Sequence, residues 1–423
     1  MQYKIFGCKV NKYYTDEWMN SDYLKDKKGT FIASCVVTDN AKRKWLKYVK
    51  DIAKNESEKI YISGCGAFKS GEAQEDFFDI YPELESLKGR IEILGEKPNE
   101  LKKEIINSKE TRTIKEKIKS IPQIYTKKFL LIQGGCDSFC TFCLTVKKRG
   151  KHYYRDKDSI VDEINEFEKV GGKEVVLTGV NLSAWGLETT NDVGKSRFGE
   201  LLRYILDNTT IPRIRISSMG PEFINDACLE IFKETRIYPH FHYSVQSGSN
   251  DVLKAMHRHY DGQYMRKLLE KTKNLVRKDG VEVSIGADLI IGFPGETEED
   301  FLDTYNLVKD GLITKIHAFP FSPHTTGESV PAGSFPNQLS DQIKKDRMWR
   351  LEEIGEYTRD KFIERNIGKV FEVLIEVVKK DEKTGKTIWK GWSQNYIDVD
   401  NTNFEVISGT IKRNEIITGK LLK

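Results

Sequence analysis

The 423-residue sequence has no apolar run long enough to cross a bilayer as a helix. Its first residues, MQYKIFGCKV, lack the charged segment and apolar stretch that form a secretory signal. Internal repeats and low-complexity tracts are also absent, so a repeat array is not expected. These absences predict a cytoplasmic protein without a membrane partner.

The composition is that of a globular protein, with 38% hydrophobic and 11% aromatic residues. The length predicts two or three domains. A net charge of +4 permits nucleic-acid binding without arguing for it. Two segments are locally basic, Leu101–Lys128 and the aromatic-interleaved KKRGKHYYR at Lys147–Arg155. Each is either a solvated face or a nucleic-acid contact.

Three of the seven cysteines, Cys136, Cys140 and Cys143, form a C-x3-C-x2-C loop. Cytosolic cysteines rarely form disulfides, and structural zinc sites use four ligands. Three thiolates instead suit a [4Fe–4S] cluster whose fourth iron stays open. An open iron is what S-adenosylmethionine (SAM) needs for reductive cleavage to a 5′-deoxyadenosyl radical. The alternative is a zinc site completed by a distant histidine.

Each cysteine of a second group follows a short β-prone run: Cys8 in FGCKVN, Cys35 in IASCVV and Cys65 in YISGC. The ends of parallel strands meet at one edge of a sheet, so these cysteines are predicted to lie together. They could hold a second cluster, although each alone would more often be a buried apolar residue. Cys228, on an amphipathic helix, is predicted to be core.

The fold prediction is α/β with three parts. Residues 1–122 alternate strands and helices as in a doubly wound α/β domain. Residues 123–360 contain six β/α units, which predict a partial (βα)6 barrel with its site at the strand C-termini. Residues 361–423 contain short strands separated by turns, as in a small antiparallel β-barrel.

Polar and flexible residues follow several barrel strands. Asn181 in LTGVNLSAWG could contact SAM or substrate, and Ser247 follows a strand in SVQSGS. In IGFPGET, Gly292 permits close backbone approach beside Glu296, so this loop could cradle the adenine edge of SAM. We predict Asn181, Ser247, Gly292 and Glu296 as cofactor-binding residues. Ordinary turn and cap chemistry is the alternative.

Together these motifs resemble the radical SAM methylthiotransferase family. The two cysteine triplets, LTGV, QSGS, IGFPGET and HAFPFSP occur in the family's order, and GWSQNYIDV resembles its RNA-binding TRAM domain. The resemblance implies that Cys8, Cys35 and Cys65 hold one [4Fe–4S] cluster and Cys136, Cys140 and Cys143 another. It also implies two roles for SAM, as methyl donor and as radical source.

Within the family, GCKVN with LTGV resembles the branch that methylthiolates C2 of N6-threonylcarbamoyladenosine at tRNA position 37. Other branches act on isopentenyladenosine-37 or on a ribosomal-protein aspartate. The chain departs from the usual family pattern at Val146, at Gly220 and in HTTGES. A zinc-containing RNA-binding protein is the non-enzymatic alternative.

The expected partners are a tRNA anticodon loop, an electron donor such as flavodoxin or ferredoxin, and a sulfur source. A target adenine must leave its stack to be modified, which is easiest in a single-stranded loop. Basic and aromatic side chains typically grip such RNA. The residues that we predict to contact RNA are Lys147, Lys148, Arg149, Trp392 and Tyr396.

Overall fold

A computed structural model describes residues 1–55, 58–98, 126–324, 328–380, 382 and 385–422. The predicted boundary at 122 and 123, and most of the basic segment from Leu101 to Lys128, lie outside these residues. Among the described helices, none has the length and apolar character needed to span a membrane.

The first part of the chain is a parallel sheet with helices on both faces, as predicted. Its strands pair in the order β1-β2-β3-β6, and a short hairpin of β4 and β5 is inserted after β3. The strands are β1 (Gln2–Ile5), β2 (Thr30–Ser34), β3 (Ile60–Gly64), β4 (Phe68–Lys69), β5 (Glu72–Ala73) and β6 (Ile91–Ile93). The helices are α1 (Lys9–Met19), α2 (Asp39–Ile52) and α3 (Phe77–Ile80).

Alternation along the strands divides the core of this sheet into two layers. Ile32 and Ile62 pack with Trp45 of α2 on one face of the sheet. Phe31 and Ala33 pack with Trp18 of α1 on the other face. Burying both faces of a parallel sheet explains why its strands read as nearly continuous apolar runs.

The central part is a partial barrel made of two sheets with strand orders β10-β9-β7-β8 and β11-β12-β13-β14. Its strands are β7 (Lys128–Gly134), β8 (Tyr153–Tyr154), β9 (Glu174–Gly179), β10 (Arg213–Ile216), β11 (Ser218–Met219), β12 (His240–Gln246), β13 (Ser284–Ile291) and β14 (Lys315–Pro320). Its helices are α4 (Thr145–Arg149), α5 (Lys157–Lys169), α6 (Phe198–Asn208), α7 (Asp226–Ile231), α8 (Asn250–Ala255), α9 (Gly262–Lys273) and α10 (Glu298–Lys309). The predicted strand IRISSM is divided at Ser217, where the two sheets meet.

The helix-facing side of the barrel holds the largest apolar core of the described residues. Leu130 of β7, Val175 of β9 and Ala287 of β13 belong to it, and so does Cys228, which is fully buried as predicted. Residues at alternate strand positions therefore face the concave side. There, Phe129 and Val176 pack against α1, which lies across β7 and β9.

The C-terminal part is an antiparallel sheet entered through a long helix, α11 (Asp341–Asn366), which crosses the predicted boundary at 360 and 361. The strands pair in the order β17-β16-β15-β19-β18, and the described residues place no ladder between β17 and β18. They are β15 (Val370–Lys380), β16 (Thr387–Ser393), β17 (Asp398–Asp400), β18 (Phe404–Ser408) and β19 (Ile416–Leu421). Phe362 of α11 packs into the core of this sheet.

A buried ion cluster joins the C-terminal sheet to the N-terminal ends of the barrel strands. Glu174 accepts from Arg213 at 2.7 Å and from Arg215 at 2.9 Å. The two guanidiniums also donate to the backbone oxygens of Trp392, at 3.2 Å, and Ser393, at 2.8 Å. Although burial alone would raise it, Arg215 and Arg213 hold the pKa of Glu174 at about 2.

Replacing Glu174 by Gln should destabilise the protein by about 3 kcal/mol, because two buried guanidiniums would lose their shared counter-charge. The shift in the urea midpoint would measure this. The control is Glu200→Gln, which removes an exposed pair with Arg197 and should cost less than about 1 kcal/mol. Equal effects of the two substitutions would contradict a role for the ion cluster in anchoring the C-terminal sheet.

Candidate functional site

The C-x3-C-x2-C loop begins where β7 ends, at the predicted edge of the barrel. Gly135 has φ +61°, and a Cβ there would lie 1.7 Å from the Lys151 backbone oxygen, so only glycine fits. Beyond it, the Cys136 amide donates to the Gly150 oxygen at 3.1 Å. The Thr141 amide donates to the backbone oxygen of Met256, directly after α8, at 3.2 Å. These backbone bonds fix the shape of the loop.

The three thiols of this loop are close enough to act on one another electrostatically. Burial, with a smaller contribution from neighbouring Cys140, raises the pKa of Cys143 to about 12 and also raises that of Cys136. The hydroxyls of Ser138, at 3.5 Å, and Thr145, at 3.0 Å, oppose this rise. Buried thiols of this kind become thiolates when a metal replaces their protons, which fits a cluster site.

Polar groups that the sequence analysis did not identify lie beside Cys140. Arg258 donates to Cys140 Sγ at 3.2 Å and to Glu222 Oε2 at 3.3 Å. Glu222 Oε1 and Asn181 Oδ1 are buried without a hydrogen-bond partner within the described protein. Unpartnered buried acceptors require an explanation, and the amino and hydroxyl groups of SAM would satisfy them.

Gly220 explains how these two acceptors come together. A Cβ at Gly220 would lie 2.6 Å from Asn181 Oδ1 and 3.1 Å from Glu222 Oε2. Gly220 is one of the positions where the sequence departs from the expected family pattern, and a carboxylate, that of Glu222, follows two residues later. The only sequence signal for Glu222 was that departure, and nothing local pointed to Arg258.

The other residues predicted to bind the cofactor are used mainly within the fold. Ser247 is fully buried, and its hydroxyl lies 3.2 Å from that of Thr304, so the prediction that it faces a ligand is wrong. Gly292 donates its amide to Glu296 Oε2 at 2.8 Å, and Arg347 donates to the same oxygen at 2.6 Å. Glu296 therefore braces its loop against α11, with Oε1 left unpartnered.

The second cysteine triplet lies at the C-terminal ends of β1, β2 and β3, as the sequence pattern predicts. Burial raises the pKa of Cys35 to about 12, with additional contributions from Cys65 and Cys8. A Cβ at Gly7 would lie 2.9 Å from Cys35 Sγ, so glycine is required for this close approach. The three thiols therefore converge, while their ligation of a cluster stays a prediction.

Arg149 is a buried part of this triplet's surroundings rather than a surface cation. It opposes the rise that burial causes in the pKa of the Cys65 thiol, pairs with Glu96, and donates to Asn11 Oδ1 at 2.8 Å. Lys148 is also buried, donating to Gln74 at 2.8 Å. The prediction that Arg149 and Lys148 contact RNA phosphates is therefore corrected. Lys147 remains exposed.

The two triplets lie on either side of one apolar cluster. Val36 and Cys65 from the first part of the chain pack there with Phe142, Leu144 and Phe293 from the barrel. Backbone hydrogen bonds connect the same segments, from the amide of Ser70 to the Lys147 oxygen at 2.8 Å and from that of Gly71 to the Lys148 oxygen at 2.7 Å. The segments that carry the two triplets are therefore held against one another.

Trp392 and Tyr396 lie at the other end of the barrel. Their rings stack with centroids 4.3 Å apart, and Tyr396 stacks on His240 at 4.2 Å. Lys315 lies over the Tyr396 ring at 4.7 Å. These aromatic faces are used in the contact between domains, while both side chains stay half-buried, and their contact with RNA stays a prediction.

Comparison with known proteins identifies the family of this chain. The sequence model of the Radical SAM superfamily matches residues 130–308. The threonylcarbamoyladenosine tRNA methylthiotransferase MtaB of Thermotoga maritima is 33% identical over 88% of this chain and 86% of its own length. MtaB of Bacillus subtilis is 29% identical over 100% and 92% of the two lengths.

A tRNA-2-methylthio-N(6)-dimethylallyladenosine synthase of Ehrlichia chaffeensis is 30% identical over 95% of this chain and 93% of its own length. Relatives from two branches thus match at similar identity. Each of these three relatives aligns with most of this chain, including the part that matches the Radical SAM model. The chain belongs to the radical SAM methylthiotransferase family.

Proposed function

We propose that this chain is a tRNA methylthiotransferase that adds a methylthio group to C2 of N6-threonylcarbamoyladenosine at position 37. The observation that carries the proposal is that the segments bearing the two cysteine triplets pack against one another in one apolar cluster. A reaction that joins sulfur to a carbon radical needs a radical source and a sulfur carrier within reach of one substrate atom.

Family membership implies a [4Fe–4S] cluster and SAM, which together supply a 5′-deoxyadenosyl radical by one-electron cleavage of SAM. Cys136, Cys140 and Cys143 would hold this cluster. Arg258 would donate beside Cys140, while Asn181 and Glu222 would accept from the amino and hydroxyl groups of SAM. The apolar side chains around the loop exclude water from this region.

Cys8, Cys35 and Cys65 would hold the second cluster and carry the sulfur. In the overall change, the hydrogen on C2 of adenine leaves on 5′-deoxyadenosine and a C–S bond replaces the C–H bond. One SAM supplies the methyl group, a sulfur source supplies the sulfur, and an electron donor such as flavodoxin or ferredoxin drives cleavage of the second SAM. Arg149, beside Cys65, would balance the negative charge of this site.

The names of the relatives and the GCKVN and LTGV motifs support tRNA bearing N6-threonylcarbamoyladenosine as the substrate. The similarity to a dimethylallyladenosine synthase makes isopentenyladenosine-37 the second candidate. Because Lys147 is exposed beside the cysteine loop, we expect it to meet a phosphate of the tRNA.

The substrate assignment predicts which tRNA pool reacts. We would reconstitute the protein anaerobically and supply SAM, reductant and tRNA bearing either threonylcarbamoyladenosine or isopentenyladenosine. Mass spectrometry of the nucleosides should find a methylthio product only from the first pool. Product only from the second pool would keep the chemistry and reassign the substrate.

Cys65→Ala should separate the two clusters. Iron should fall from about eight to about four per chain, sulfur transfer should be abolished, and SAM cleavage to 5′-deoxyadenosine should persist. Cys228→Ala, which alters only the buried core cysteine, should keep the iron content of the unsubstituted protein. Normal methylthiolation by Cys65→Ala would refute the assignment of the second triplet.

Arg149→Gln tests the corrected placement of this cation. Because Arg149 is buried beside Cys65, the substitution should lower iron retention at the second triplet and leave tRNA affinity within about twofold. Iron analysis would measure iron retention and filter binding would measure tRNA affinity. The control is Lys147→Gln, at an exposed cation of the same segment. A loss of tRNA affinity at full iron content would instead support the phosphate contact.

A further inference from the structure

A polar cluster, separate from both cysteine triplets, lies on the concave face of the barrel. His242 of β12, Asp288 of β13 and His317 of β14 occupy strand positions that alternate with residues of the helix-facing core, such as Tyr243 and Ala287. Asp288 and His317 are paired in register. Three neighbouring strands thus bring three polar side chains to one place inside the barrel.

The three side chains are in close contact. His242 Nε2 lies 3.0 Å and His317 Nδ1 lies 3.7 Å from Asp288 Oδ1. The 3.0 Å contact lacks hydrogen-bond geometry, so His242 Nε2 is buried without a satisfied partner. A Cβ at Gly286 would lie 2.4 Å from His242 Nδ1, so only glycine at this position leaves room for the His242 ring.

The cluster is accessible from one side. The side-chain exposure rises from 5% at His242 through 27% at Asp288 to 48% at His317. Although burial alone would raise it, the two imidazoles hold the pKa of Asp288 well below its usual range. Asp288 is therefore a charged acceptor between buried His242 and exposed His317, and we call the concave surface that these three side chains form the recess.

The surroundings are cationic and adjoin the second triplet. Asp288 is the principal acidic group acting on Lys9, which directly follows Cys8. Lys315, from the same concave face, acts on neighbouring His240 together with Lys9, and so does Arg215, although Arg215 is already paired with Glu174. The recess thus favours a ligand that carries both a negative charge and hydrogen-bonding groups.

We propose that His242, Asp288 and His317, with Lys9, form the subsite that receives the N6 substituent of the target adenine. This inference rests on the proposed function. A threonylcarbamoyl group carries a carboxylate, which His317 and Lys9 can bind. It also carries a hydroxyl and N–H groups, from which Asp288 can accept hydrogen bonds. An isopentenyl group offers none of these, and a site built for hydrogen bonds strongly rejects a ligand that lacks them.

The same three side chains could also be the ligands of a divalent ion, since their ligating atoms all lie within 4.8 Å of one another. The cationic neighbours, Lys9 above all, disfavour a dication at this position. We therefore assign the recess to an anionic organic group, and metal analysis forms one arm of the test.

The experiment compares three anticodon stem-loop RNAs, bearing threonylcarbamoyladenosine, its carboxyl methyl ester or isopentenyladenosine. The reconstituted full chain would be assayed unsubstituted, as His317→Gln and as Asp288→Asn. His259→Gln, an exposed imidazole outside the cluster, is the matched control. The readouts are kcat and KM for methylthiolation, SAM cleavage without RNA, and iron and zinc content.

The unsubstituted chain should prefer the free carboxylate over its ester, and His317→Gln should reduce that preference about tenfold, mainly through KM. Asp288→Asn should raise KM for both threonylcarbamoyl RNAs. SAM cleavage and metal content should match those of the control. Unchanged discrimination in both variants, or loss of a metal ion from them, would overturn the subsite. If the unsubstituted chain modifies no threonylcarbamoyl RNA, the proposed function itself fails.

Discussion

The contact on which the site depends is the burial of Arg149 between the first part of the chain and the barrel. Arg149 ends the helix that follows the C-x3-C-x2-C loop, and its guanidinium meets Glu96, Asn11 and the Cys65 thiol. A buried cation must be paired, so this position cannot move away from the parallel sheet without a large free-energy cost. One side chain thereby fixes the separation between the two cysteine triplets.

Helix α1 provides the second constraint. It starts directly after Cys8 and packs its apolar side chains Val10, Tyr13 and Tyr14 on the concave face of β7 and β9. A partial barrel leaves this face open, and α1, which belongs to the first part of the chain, covers part of it. The covering helix also carries Lys9 to the edge of the remaining open recess. Cluster ligation, barrel closure and the electrostatics of the recess are therefore coupled through a single helix.

The fold and both triplets could be predicted because their signals are local. Cys8, Cys35 and Cys65 each follow a strand, and parallel strands place their ends at one edge whatever the rest of the chain does. The errors arose where a local pattern does not determine burial. The run containing Lys148 and Arg149 has the same letters whether it faces solvent or a neighbouring domain. Glu222 and Arg258 meet near Cys140 from distant segments, so no spacing rule could find them.

The position of the C-terminal sheet limits what it can do for the RNA. It contacts Arg213, His240 and Lys315 at the first residues of their strands, whereas the cysteine loop follows the last residue of β7. A strand of seven residues, such as β12, is about 23 Å long. The cysteine loop is therefore about one strand length from Trp392 and Tyr396, whereas the recess lies only two residues along β12 and β14 from His240 and Lys315, which contact Tyr396. The C-terminal sheet therefore closes the end of the barrel beside the recess, so under the proposed function the modified adenine must enter from the end that carries the cysteine loop.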